Sequence, residues 1–249
     1  MFTPVERESL RSELLEYATA DRRITGGAIT GSAAAGCEDR WSDIDLAFGV
    51  ADAAELPNVL ADWTAHVYNR YLALHHLDVV FGQWVYRVFF LPDTLQVDLA
   101  FVSSTEFRAL AATFRLIFGM ANEPRTIELP RAEGIVGLGW LYALHARSSI
   151  ARGKFWQAEY MISGIRDHAL ALACLRHGLD SAHGRGIHLL PAGVTAAFED
   201  SLVRSLDQAE LLRAFKAVLS GLVREIRNID GELASRLQTP LAQLAEYSE

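Results

Sequence analysis

The stretch Gly26 to Val50, GGAITGSAAAGCEDRWSDIDLAFGV, sets the terms for everything else in this chain. It reads as a short strand, a Gly-Ser turn, a polar loop, then a strand opening on two carboxylates. Asp43 and Asp45 flank Ile44. Side chains alternate along a strand, so both carboxylates project one way while Ile44, Leu46 and Phe48 fill the other face. Two carboxylates side by side repel unless a cation lies between them. Oxygen-only donors favour Mg²⁺ among divalent ions. Gly31-Ser32, just upstream, offers turn amides and a hydroxyl to an anion of the phosphate type. Together these features are suited to a nucleoside triphosphate. The run Gly26 to Ser32 also has P-loop-like spacing, but Ala33 follows and no Lys precedes Ser32, so that reading is rejected.

With its Gly31-Ser32, the interval Ala33 to Ser42, and Asp43-Ile44-Asp45, the chain resembles the nucleotidyltransferase superfamily related to DNA polymerase beta. That signature is Gly-Ser, a gap of about ten residues, then Asp-apolar-Asp. The resemblance implies a third carboxylate on a later strand, and Asp98 within Gln96-Val97-Asp98-Leu99-Ala100-Phe101-Val102 fits it. It implies a catalytic and metal-binding trio of Asp43, Asp45 and Asp98, with two Mg²⁺ ions and ATP or another nucleoside triphosphate. The implied nucleotide-binding set is Gly31, Ser32, Arg40 and Ser42. Relatives often carry a basic residue where Ala35 stands, and Arg40 is the nearby cation placed to compensate.

The rest of the chain divides into two characters. Thr3, Pro4 and Glu6 spell a capped helix start, followed by Leu10, Leu14 and Tyr17 at helical spacing. Strands are expected at Ala28 to Thr30, Ile44 to Val50 and Leu77 to Phe81, with a helix from Pro57 between the last two. Val85 to Leu91 and Leu95 to Val102 read as a hairpin about Pro92-Asp93-Thr94. Ser104 is expected to cap a helix carrying Phe107, Leu110, Phe114 and Ile117. Beyond Asn122-Glu123-Pro124 the strand signals stop. Helices are expected at Val136 to Ile150, Trp156 to His177 (with Gly178 as C-cap), from Thr195, after a second capping box Asp207 to Glu210, and around Leu241 and Leu244. The expected fold is therefore α+β: a nucleotidyltransferase domain with a mixed sheet flanked by helices over residues 1–125, then an all-α antiparallel bundle over 126–249.

That architecture resembles the aminoglycoside and lincosamide nucleotidyltransferases. Some of them carry a Gly-Lys-Trp-like stretch, here Gly153-Lys154-Phe155-Trp156, with a Glu four residues before the Lys. Ile150 occupies that position, so Glu159 is the nearest carboxylate for a general base. Lys154 is the cation for triphosphate charge. Trp156, Phe155 and Tyr160 read first as core residues and second as a pocket wall. His183 and Arg185 lie in a glycine-rich loop open to either a structural or a substrate role.

Composition narrows the partners. A net charge of −8 and a pI near 5.5 argue against binding long nucleic acid, which needs a basic surface. They suit a small cationic acceptor. Cys37 and Cys174 are too few for a disulfide framework, which points to a cytoplasmic setting. No apolar run reaches the ~20 residues of a membrane span. The expected reaction moves a nucleoside monophosphate, AMP from ATP, onto a hydroxyl of a small molecule such as an aminoglycoside-like antibiotic. Two alternatives stand beside it: a protein-AMPylating enzyme of a toxin–antitoxin type, and a catalytically dead nucleotide-binding module. A homodimer is compatible with the resemblance, which leaves the oligomeric state open.

Overall fold

The computed structural model describes residues 1–125 and 130–246. The chain separates into two compact units, residues 1–127 and 128–249. The expected domain boundary borders residues 126–129, which lie outside the described residues.

In the first unit, helix α1 (Pro4–Ala20) leads into β1 (Ile24–Thr30), the five-residue α2 (Gly31–Ala35), β2 (Ile44–Val50) and α3 (Leu56–Tyr71). Three strands follow, β3 (His75–Phe81), β4 (Trp84–Phe90) and β5 (Gln96–Ser103), and then β6 (Phe114–Gly119). The six strands form one mixed sheet in the order β3-β4-β5-β2-β1-β6. The β2–β5 pair is parallel, and the remaining pairs are antiparallel. Ile44, Leu46 and Phe48 of β2 pack with Leu99 and Phe101 of β5, Leu14 of α1, and Val59, Trp63 and Val67 of α3. Ala28, Ala47, Ala100 and Val102 build a smaller cluster with Trp84 and Phe107. The alternation read in β2 thus sorts its residues between two clusters, and the carboxylates fall on the alanine side. Among the described residues, no helix is long and apolar enough to cross a membrane.

The start of α1 carries the expected capping box: Thr3 accepts from the Glu6 amide, and the Glu6 carboxylate accepts from the Thr3 amide at 2.7 Å. The expected stripe packs on the sheet core, Leu14 fully buried and Leu10 and Tyr17 partly so, and two arginines join it. Arg7, Arg11, Leu14 and Ala18 are the buried residues of α1. Two arginines take core positions because the loop after α2 supplies partners for both.

The helix expected after Ser104 does not form. Residues 104–113 are turns and irregular chain, and Phe114 to Gly119 is strand β6, paired with β1. Phe107, Leu110, Phe114 and Ile117 fit a helical period. Phe114, Leu116 and Phe118 fit a period of two equally well. The open hydrogen-bonding edge of β1 decides between them.

The second unit contains α4 (Ala132–Ala151), α5 (Phe155–Arg176), α6 (Ala192–Glu199), α7 (Gln208–Ile229) and α8 (Gly231–Leu244). Ala143, Ala146, Ile150, Ile162, Ile165, Phe215, Leu222 and Ile226 belong to its core. Glu225 is buried in this unit and accepts from Arg176 at 3.0 Å, so its charge is matched. The second capping box is absent: the Asp207 side chain makes no cap bond. Glu210 is drawn instead to the Arg204 amide and the Arg213 guanidinium. The last helix is longer than expected and runs through Pro240.

Candidate active site

The register of the parallel pair places the acids. Asp45 lies opposite Asp98, between the partners Ile44–Val97 and Leu46–Leu99. In-register neighbours on adjacent strands are ~4.8 Å apart and share a face. Asp43 comes just before β2, and its Oδ2 accepts from Gln96 Nε2 at 3.2 Å. Gln96 stands two residues before Asp98 on β5, so the approach to β2 and the start of β5 are bridged at the level of the acids.

Asp98 is half-buried, and its Oδ1 is enclosed without a hydrogen-bond partner. Burial, reinforced by the charge of Asp43, pushes its carboxyl up to about 6. A carboxylate held this way gains from any cation that reaches it. Tyr86 faces the same region. It pairs with Ala100 on β5, next but one to Asp98, and Val88 pairs with Asp98 itself. Burial and then the charge of Asp98 raise the Tyr86 phenol.

The Gly31 turn closes the site on its other flank. Gly31 has φ +61°, and a Cβ there would lie 2.0 Å from Asp45 Oδ2. Only glycine brings the main chain this close to the carboxylate in this conformation. The Ser32 hydroxyl is buried and makes no hydrogen bond. A turn pressed on one acid, an unsatisfied hydroxyl and an unsatisfied carboxylate oxygen together suit oxygen-rich, cation-bridged ligands. Oxygen donors of this kind fit a divalent ion. Among the described residues, however, no group of three or more His, Cys, Asp or Glu side chains is set to hold one.

The loop between α2 and β2 is anchored by residues that no motif marks. Arg7 donates to the carbonyls of Asp39 (2.6 Å) and Ser42 (2.9 Å), and its Nε lies 3.2 Å from Glu38. Arg11 donates to Glu38 at 2.7 Å. Two charged residues among the apolar positions of α1 are the signal that marks this brace in the sequence. Gln96 and Tyr86 carry no such signal, because their roles arise from strand register alone.

Other expected site residues are engaged differently. The Ser42 hydroxyl accepts from the Asp39 amide and donates to its carboxylate, so it shapes the loop. The Arg40 guanidinium lies 4.4 Å from the Trp41 ring centroid and donates to Met1 Sδ. Lys154 is exposed and provides the N-cap residue of α5. The Glu159 carboxylate accepts from Ser163 Oγ at 2.7 Å. Core packing is not the role of Trp156 and Tyr160, which are 77% and 62% exposed; Phe155 alone packs against the helical core. Trp156 and Tyr160, four residues apart, lie on the outward stripe of α5. Arg185 is exposed and lies 4.0 Å from Asp180.

No protein-family model matches the chain, and no curated protein matches it. Among solved structures it is similar to an aminoglycoside 6-adenyltransferase from Bacillus subtilis, over 98% of this chain and 99% of that one. The TM-score is 0.43 and the identity 10%, too slight a likeness to carry substrate or mechanism across.

Proposed function

We propose that this chain is a nucleotidyltransferase that moves AMP from ATP onto a hydroxyl of a small, cationic, aminoglycoside-like acceptor and releases pyrophosphate. The observation that carries the reading is the in-register placement of Asp45 beside Asp98, with the Gly31-Ser32 turn pressed on Asp45. Asp43, Asp45 and Asp98 are the residues to hold Mg²⁺. Bound there, divalent ions neutralise triphosphate charge and stabilise the attacking and leaving oxygens.

The chain's own residues bind and orient. Gly31 and Ser32 present an amide-lined turn and a free hydroxyl to the phosphates. Asp98 is the carboxylate we assign to the acceptor hydroxyl. Arg7 and Arg11 keep the loop to Asp43 in one shape, so alignment is prepared before ligand arrives. The excess of acid favours a cationic acceptor. We place the reaction in the cytoplasm, with the N-terminal domain carrying the chemistry.

A second reading is a nucleotide-binding module without transfer. It is favoured by the lack, among the described residues, of a group set to hold a metal. Incubation with radiolabelled ATP, Mg²⁺ and an antibiotic panel separates the two. Wild type labels a small molecule, and Asp45→Asn, folded by circular dichroism, does not. Equal labelling by Asp45→Asn removes the metal assignment, and label on protein instead moves the acceptor to the AMPylation class.

A further inference from the structure

Among the described residues, strand β3 ends the sheet and is hydrogen-bonded on one side only, to β4. A strand covered on one face shows alternating burial. Here Leu77 (61% exposed), Val79 (49%) and Phe81 (55%) are open on one face and Val80 (66%) on the other. Leu72 and Leu74, just before it, are exposed as well. An open apolar edge of this kind recruits another strand unless a charge or a proline guards it. The single carboxylate in β3, Asp78, is already held by both arms of Arg87 at 2.7 Å, so it does not guard the edge.

We propose that β3 pairs with β3 of a second copy of this chain, antiparallel and two-fold symmetric about Val79. This proposal does not depend on the enzymatic reading. The strand itself selects the occupant, because one register makes it self-complementary. Centred on Val79, the pairing sets Leu77 against the second copy's Phe81, Val79 against Val79, and Asp78 against Val80. One face becomes continuously apolar, and no like charges meet. A shift to a centre at Asp78 brings two carboxylates face to face. A shift to Val80 sets Leu77 against Gln83, beyond the strand's end. Pairing of β3 with the opposite edge β6 would be head-to-tail and would not close, whereas β3 with β3 closes as a dimer. The two-fold axis runs perpendicular to the sheet, so the second copy's Phe81 extends the row Asp45, Asp98, Val88, Leu77 on the face that carries the acids.

The test uses the full chain. Light scattering should give twice the 27.5 kDa chain mass for wild type. Val79→Lys and, separately, Val80→Asp, whose carboxylate would face the second copy's Asp78, should give monomers with unchanged circular dichroism, while Leu116→Lys on β6 stays dimeric. In a Cys37→Ser background, Val79→Cys should form an interchain disulfide on mild oxidation, because facing residues lie within ~4.5–5.5 Å. Val80→Cys should not, since its counterpart sits two residues along, beyond the ~7 Å limit for a bridge. A monomeric wild type overturns the proposal. So does a dimer that survives both substitutions on β3, one broken by Leu116→Lys, or cross-linking through Val80→Cys in place of Val79→Cys.

Discussion

Asp98 is where folding and the proposed chemistry pull against each other. Its carboxyl titrates near its ordinary value in the unfolded chain and at about 6 in the folded one. Between those values the folded state keeps a proton that the unfolded state has released. Stability therefore falls as pH rises from about 4 to about 6, and the cost persists above that range. Two pH units correspond to about 3 kcal/mol as an upper bound. Asp98→Asn should be more stable than wild type at pH 8, by about 1–3 kcal/mol, and equal to it below pH 4. Urea titrations at both pH values measure this, and equal midpoints at pH 8 would remove the claim that Asp98 is strained by burial. The position of this residue was legible from its apolar flanks. The missing hydrogen bond at its Oδ1 was not, because that oxygen is enclosed by neighbours that only the assembled sheet provides.

At the scale of elements, α1 serves the loop before β2 more than it serves the core. Arg7 and Arg11 are 4% and 5% exposed, and both reach Glu38 or the carbonyls around it. Arg7→Met keeps length and apolar bulk but strands two carbonyls and part of a buried ion pair. The expected loss is about 2–4 kcal/mol. Hydrogen exchange should quicken at the amides of residues 37–42 while α5 stays protected. Uniform quickening would mean that Arg7 supports the unit as a whole rather than the loop. The strands that bear the acids were legible because β2 and β5 are apolar runs interrupted by single carboxylates. The helix expected at Phe107 to Ile117 failed because its residues satisfy two periods. Main-chain partners on β1, about ninety residues earlier in the chain, settled the matter, and no local window contains them. The Asp207 cap failed for a related reason: its carboxylate accepts from Ser205 Oγ and Glu210 is held by Arg213, partners that the sequence motif does not weigh.

For the molecule as a whole, the proposed reaction makes metal and nucleotide interdependent. ATP should raise the melting temperature in the presence of Mg²⁺ and have little effect in EDTA. At a concentration of 100 Kd the gain is about 2.7 kcal/mol. Equal shifts with and without Mg²⁺ would support the binding-module reading, and wild-type magnitude in Asp45→Asn would do the same. The division into a sheet unit and a helical unit follows from where strand signals stop, a property of composition over many residues. The apolar edge at β3 is different, since Leu77, Val79 and Phe81 look like ordinary strand interior until the sheet order puts them last.

The parallel pairing of β2 with β5 also governs when the site can exist during folding. Asp45 and Asp98 are separated by α3, β3 and β4, so their juxtaposition waits for the closure of a long loop. No hairpin or isolated helix can form the proposed nucleotide site beforehand. ATP–Mg²⁺ added to a refolding chain should leave the early phase at its original rate and act on the reverse step, slowing unfolding of the finished unit. Ligand occupancy then becomes a kinetic marker of the moment at which the central strands lock.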